Sequence, residues 1–390
     1  MGRAQPQQIE DAFSEIRLDE HRHLTVQGEL GRGAFGTVYR ATLHQPWGLE
    51  RPVAMKVFTR LAAGEEEMAV TALALACRSW GSVRHPNVVG LHEFGVLTGK
   101  QAFALEELLE GCSLASLLES YARRSMRMPL DLALFLGVEL AEGLDGARCA
   151  RNAEGRRVGL IHGALSAREV LLSSRGEVKI SDFGVAMAAR AMGASSSLLT
   201  TSARVETLAP EVVQGEAPTA RSDVFSLGVV LWQMLAGPRY PAHLGEAERL
   251  EYARKGLVRA SVFDPVLTQD LKETVLRAVE ADPERRFPNA GALAYQLRRL
   301  ALSMGVGDGR VFLKHAMINA FSPDPSEEAA TREMVVPLDI SSRFELEPPA
   351  DSGERVSGTL PLGSWGKAEA ALPGDEGDRV SEVLVETAKG

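Results

Sequence analysis

The chain has 390 residues, 45% of them hydrophobic and 24% charged, a balance that suits one large folded domain or two lobes. No run approaches the roughly 20 apolar residues of a membrane-crossing helix, so no span is expected. The net charge of -9 is concentrated at one end: residues 323–390 carry 15 acidic and 6 basic side chains, the first 322 are neutral, and this lack of basic excess argues against nucleic-acid binding.

Residues 1–22 are a polar lead-in with room for a short helix. They contain no apolar leader core, and Pro6 argues against a myristoylation start. Short β-branched runs follow, "HLTVQGEL" from His23, "TVYRATL" from Thr37 and "RPVAMKVF" from Arg51, separated by Gly and Pro. They predict an antiparallel sheet. "EEEMAVTALALACRSW" (65–80) has apolar residues at helical spacing. From about Leu114 helical patterns dominate, as in "LASLLESYARR", "SDVFSLGVVLWQMLAG" and "NAGALAYQLRRLALSM". A short helix is expected within 303–322. The tail 323–390 is rich in Pro, Gly, Ser and acids, and is expected to be disordered. Cys77, Cys112 and Cys149 are too few and too scattered for a disulfide framework or a zinc site. They fit reduced thiols in a cytoplasmic protein.

Motifs sharpen this outline. Gly31-Arg32-Gly33-Ala34-Phe35-Gly36 allows backbone N–H groups to approach phosphates closely. A dinucleotide-binding turn would need a helix next, yet strand-like "TVYRAT" follows and Val53-Ala54-Met55-Lys56 comes soon after. Then come His85-Pro86-Asn87-Val88-Val89, a hinge-like "LEELLEGCSL" (105–114), Asp182-Phe183-Gly184, Ala209-Pro210-Glu211, Ser222-Asp223-Val224-Phe225-Ser226-Leu227-Gly228 and Arg286 in "DPERRF". In this order, from His23 to Leu302, they resemble a protein kinase of the bacterial eukaryotic-like Ser/Thr type.

The resemblance implies an α+β bilobal fold over 23–302, with a small β-rich N-lobe (23–109) and a larger α-helical C-lobe (110–302). It implies ATP between the lobes, held by Leu30, Gly31, Gly33, Gly36, Val38, Ala54, Lys56, Glu107 and Leu109. Lys56 would hold the α- and β-phosphates. Asp182 supplies a hard carboxylate for Mg2+. Asp223 would brace the catalytic loop, and Arg286 would pair with Glu211.

The catalytic loop departs from the family pattern of His-Arg-Asp-x-x-x-x-Asn. It reads His162-Gly163-Ala164-Leu165-Ser166-Ala167-Arg168-Glu169. The base that orients the acceptor hydroxyl is Ala164, the following Lys is Ser166, the metal-binding Asn is Glu169, and the loop-clamping Arg is Gly163. Arg204 stands where such kinases carry a Thr. Glu169 is a second candidate metal ligand or a plain loop carboxylate. On the helix before His85, the usual Lys-pairing Glu falls at Ala76, and Glu65, Glu66 and Glu67 lie about two turns too early. Glu106, just before the hinge, either pairs with Lys56 instead or turns outward.

The leading expectation is a pseudokinase: a nucleotide-binding signalling protein with weak or no phosphotransfer. Its partners would be ATP and signalling proteins, among them an active kinase that modifies Ser195, Ser196, Ser197, Thr200, Thr201 or Ser202. The alternatives are an active atypical Ser/Thr kinase and a scaffold without nucleotide. The acidic tail is a solvating segment or a docking element.

Overall fold

In the computed structural model, the residues described are 15–33, 35–58, 66–97, 101–191, 205–240, 243–256 and 267–321. Ala34, Glu65, Arg204, the hydroxyl residues from Ser195 to Ser202 and the tail 323–390 lie outside them.

The N-lobe is an antiparallel sheet. Its strands are β1 (Glu15–Arg17), β2 (His23–Gly33), β3 (Gly36–Gln45), β4 (Leu49–Phe58), β5 (Leu91–Val96) and β6 (Ala102–Glu107), in the order β1-β2-β3-β4-β6-β5. Period-two patterning sets its two faces. Ala41, Leu43, Val53, Met55, Phe103 and Leu105 form a buried cluster with Leu24 on one face. Val38, Ala54, Lys56, Ala104 and Glu106 are the alternating residues. They share the other face because Val38 pairs with Lys56, Lys56 with Ala104, and Ala54 with Glu106. Helix α1 (Glu66–Trp80) contributes buried Ala69, Leu73 and Cys77, at steps of four, to a cluster with Phe35, Phe58 and Ala104.

Part of the lead-in is strand: Glu15–Arg17 pairs antiparallel with β2, and Ile16 packs against the Leu24 cluster, while residues 1–14 lie outside the described residues. The alternation of polar and apolar residues in Glu15-Ile16-Arg17 favours an edge strand.

The C-lobe begins with β7 (Gly111–Ser113), α2 (Leu114–Arg123) and α3 (Leu130–Cys149). A small sheet β7-β8-β9 follows, with β8 Val170–Ser173 and β9 Val178–Ile180. Then come α4 (Val185–Ala191), α5 (Pro210–Val213), α6 (Ala220–Ala236), α7 (Glu246–Arg254), α8 (Gln269–Ala278), α9 (Ala290–Ser303) and α10 (Gly309–Phe321). Helix α6 is buried from Ser222 to Leu231 on every side, as befits a core helix. Thr219 caps its start by accepting from the N–H groups of Arg221 and Ser222. Helix α10 docks through Leu313, Ala316 and Met317, and Asn319 and Ala320 offer carbonyls to Arg124. The fold is the bilobal α+β arrangement implied by the motif order. Deep in the C-lobe, Arg286 donates to both carboxylate oxygens of Glu211, at 2.7 and 2.8 Å. Burial raises the Glu211 pKa, but these charge-assisted bonds outweigh it and leave the net shift downward.

Candidate functional site

The glycine turn joins β2 to β3. A Cβ on Gly36 would lie 2.2 Å from the Val57 carbonyl oxygen, so only glycine fits there. Gly31 meets nothing within 4 Å, and Gly33 only the Gly36 carbonyl at 3.9 Å. Backbone at these two positions is therefore open to close approach by a ligand. Leu30 is exposed beside them, Val38 is half-buried, and Ala54 is buried.

Lys56 projects from β4 into the space between the lobes and forms a buried ion pair with Asp182. Asp182 adopts φ +62, a left-handed conformation that Asp tolerates better than most residues. Phe183 is fully buried, with its ring 5.0 Å from that of His162. Gly184, at φ +76, faces Ala76 of α1, and a Cβ there would come within 3.3 Å of the Ala76 methyl. The helix thus presents Ala76 and Cys77 to this region. Glu67 is exposed, and among the described residues no α1 carboxylate is paired with Lys56.

Neither alternative for Glu106 holds. Its side chain faces inward and the residue is only 5% exposed, but the Lys56 ammonium is on Asp182 instead. Glu106 Oε1 is buried with no hydrogen-bond partner. Burial pushes its pKa up to about 8; Lys56 opposes that rise and Asp182 adds to it. Burial therefore favours the neutral carboxyl. Burial also raises the Cys77 thiol to about 12, so it stays protonated beside that carboxyl.

At the hinge, the Glu107 carboxylate binds Lys179 at 2.8 Å and accepts from the Gly90 N–H at 3.1 Å. Its own N–H donates to the Gly90 carbonyl at 2.8 Å. The Leu109 N–H and C=O have no partner among the described residues. That leaves a donor and an acceptor for a planar heterocycle.

The acceptor side differs. Asp223 accepts from the N–H groups of His162 and Gly163, both at 2.8 Å, and so braces the loop from α6. Gly163 sits at φ +79. Ala164 is 2% exposed and belongs to an apolar cluster with Val185, Ala186, Leu208, Ala209 and Phe225. Glu169 is also buried. Its Oε2 accepts from Ser166 N at 2.9 Å and Ser166 Oγ at 2.5 Å. Helix α4 follows Gly184 directly and packs on α1. Arg190 at its end donates to the carbonyls of Val212, Gly215 and Glu216, so it is not a spare cation for a phosphorylated loop.

Lys56, Asp182 and Glu106 therefore share one niche, while Glu169 is tied into the loop. Among the described residues no cluster of three metal-ligating side chains occurs. Sequence reasoning missed Cys77, Lys179 and α4. Cys77 was visible at helical spacing from Leu73 and Ala69; the Lys179–Glu107 contact joins distant strands and left no local trace.

Comparison with known proteins agrees with this architecture. The family model for protein tyrosine and serine/threonine kinases matches residues 24–297. Serine/threonine-protein kinase PknL of Mycobacterium tuberculosis is 30% identical over 301 residues, covering 76% of this chain and 70% of PknL. A probable serine/threonine-protein kinase of Streptomyces coelicolor is 27% identical over 302 residues, covering 74% of this chain and 42% of that protein. Serine/threonine-protein kinase PknK of Mycobacterium bovis is 30% identical over 285 residues, of which this chain spans only 24% of the length. From glycine turn to the Glu211–Arg286 pair, then, the chain belongs to the protein tyrosine and serine/threonine kinase family.

Proposed function

We propose that this protein is a pseudokinase: it binds ATP between its lobes and signals by conformation, with weak or no phosphoryl transfer. The observation that carries this reading is the buried methyl of Ala164, packed among Val185, Ala186 and Leu208 where a kinase of this family needs a carboxylate. A methyl neither orients nor deprotonates a hydroxyl. Positioned acid–base groups typically contribute about 10²–10⁴-fold to rate.

The nucleotide side fits its ligand. Open backbone at Gly31 and Gly33 suits phosphates, Leu109 offers an unpaired N–H and C=O to a base, and Leu30, Val38 and Ala54 supply apolar walls. Lys56 would neutralise phosphate charge, and Asp182 would ligate Mg2+. When bound, Mg2+ would screen the phosphates. Glu169 becomes a second ligand only if it releases Ser166. A separate signalling protein would read lobe closure.

One observation favours the alternative of an active atypical Ser/Thr kinase: Asp223 still braces the loop, and phosphoryl transfer depends mainly on positioning and electrostatics. Thermal unfolding with ATP and Mg2+ separates these readings from a scaffold without nucleotide, because a ligand that binds only the folded state raises the midpoint. An unchanged midpoint at millimolar ATP, supported by a flat calorimetric titration, removes nucleotide binding from the proposal.

A further inference from the structure

The niche around Lys56 holds one more acid than its single cation can pair. Asp182 has the ammonium, and Glu106 Oε1 is buried without a partner. Strand register puts the second acid within reach. Lys56 lies opposite Ala104, and Glu106 opposite Ala54, so Lys56 and Glu106 are diagonal neighbours on one face. Diagonal positions on paired strands lie roughly 7–8 Å apart, within the reach of a long side chain. The two residues that complete this square are both alanines, so no side chain on that face stands between them.

We propose that Lys56 exchanges partners: when a divalent cation claims Asp182, the ammonium turns to Glu106, which loses its proton and holds Lys56 in place for the phosphates. Glu106 is thus a positioning residue. It takes over the task of the helix carboxylate that Ala76 and Cys77 cannot perform. The proton leaves to solvent, so metal-nucleotide binding is coupled to proton release. The titratable groups facing Glu106 are Lys56 from β4, Asp182 from the turn after β9 and Cys77 from α1. Strand β5 offers only Leu91 opposite it. Burial raises the Glu106 pKa, which favours a proton on the carboxyl that pairing with Lys56 would release.

This inference rests on the nucleotide reading, and two measurements keep them apart. The first needs no nucleotide. Carboxyl ¹³C resonances of Glu-labelled full-length protein are followed against pH in the natural sequence and in Asp182→Asn, with Glu106→Gln to assign the signal. Loss of the Asp182 charge alone lowers the Glu106 midpoint, so the comparison is repeated in a Lys56→Met background. Exchange predicts that the drop on Asp182→Asn is at least one pH unit larger with Lys56 present, because the ammonium then turns to Glu106. The same drop in both backgrounds overturns the exchange.

The second is calorimetry with a non-hydrolysable ATP analogue, with Mg2+ or with EDTA, in two buffers of different ionisation enthalpy at pH 7. The natural protein should release most of one proton with Mg2+ and little without it. Glu106→Gln should release none and should lose about tenfold of the affinity gained from Mg2+, with metal-free affinity nearly unchanged. Proton release that persists in Glu106→Gln contradicts the proposal. A Lys56-dependent drop in the Glu106 midpoint without any analogue binding supports the exchange and defeats the nucleotide reading instead.

Discussion

The two sides of the cleft solve their electrostatics in opposite ways. On the nucleotide side, polar groups are left with work to do: Glu106 Oε1 is unpaired and Leu109 offers bare backbone. On the acceptor side the catalytic-loop groups named above are paired. Ser166 bonds to Glu169, the loop N–H groups bond to Asp223, and Ala164 lies among methyls. A buried polar group without a partner costs about 1–3 kcal/mol. A chain that kept only the fold would gain by filling the nucleotide side with apolar residues. The partnerless Glu106 carboxyl is therefore the feature that fits the proposed nucleotide site.

Substitutions can break this contrast. The largest effect is expected from Asp223→Ala, which strands the His162 and Gly163 N–H groups in a buried site. Stability should fall by roughly 2–5 kcal/mol, read by denaturant unfolding, with nucleotide affinity within about threefold. A large loss of affinity at retained fold would mean that the two sides are not separable. Lys56→Met should weaken the ATP analogue by about 10- to 100-fold, since a bond to a charged group is worth about 1.5–3 kcal/mol. Equal affinity would show that Lys56 faces no phosphate.

Ser166→Ala removes the hydroxyl donor from Glu169 and leaves the backbone N–H in place. It should cost about 1–3 kcal/mol of stability and leave nucleotide titrations unchanged. A further effect is a slope. The folded chain holds the Glu106 proton more tightly than the unfolded chain, whose ordinary value is 4.5 against about 8 when folded. This contribution is full below the ordinary value and is lost as pH rises through the folded one. Glu106→Gln should flatten the stability–pH profile between those limits, and an identical slope would place the Glu106 proton elsewhere.

Much of this was legible before any coordinates. Motif order implied the bilobal fold because each motif serves a fixed place in one architecture, and the loss of an acid at Ala164 needs no geometry to notice. Other features were hidden for physical reasons. Lys56 had two acids to choose from, Asp182 and Glu106, and the choice depends on a left-handed turn at Asp182 that residue types do not specify. The strand at Glu15–Arg17 is too short for its alternation to stand out. Helix α4 reads as "VAMAARA", helical by propensity, but seven residues are too few for a helical period to stand out.

The central claim is that the cleft grips a nucleotide but cannot prepare an acceptor. It is tested most directly by incubating the purified chain with γ-labelled ATP, Mg2+ or Mn2+ and a generic protein substrate, with Lys56→Met as background. The account predicts no label transferred above that background, together with clear nucleotide binding by the natural sequence. Steady transfer by the natural sequence, abolished by Lys56→Met, would contradict it.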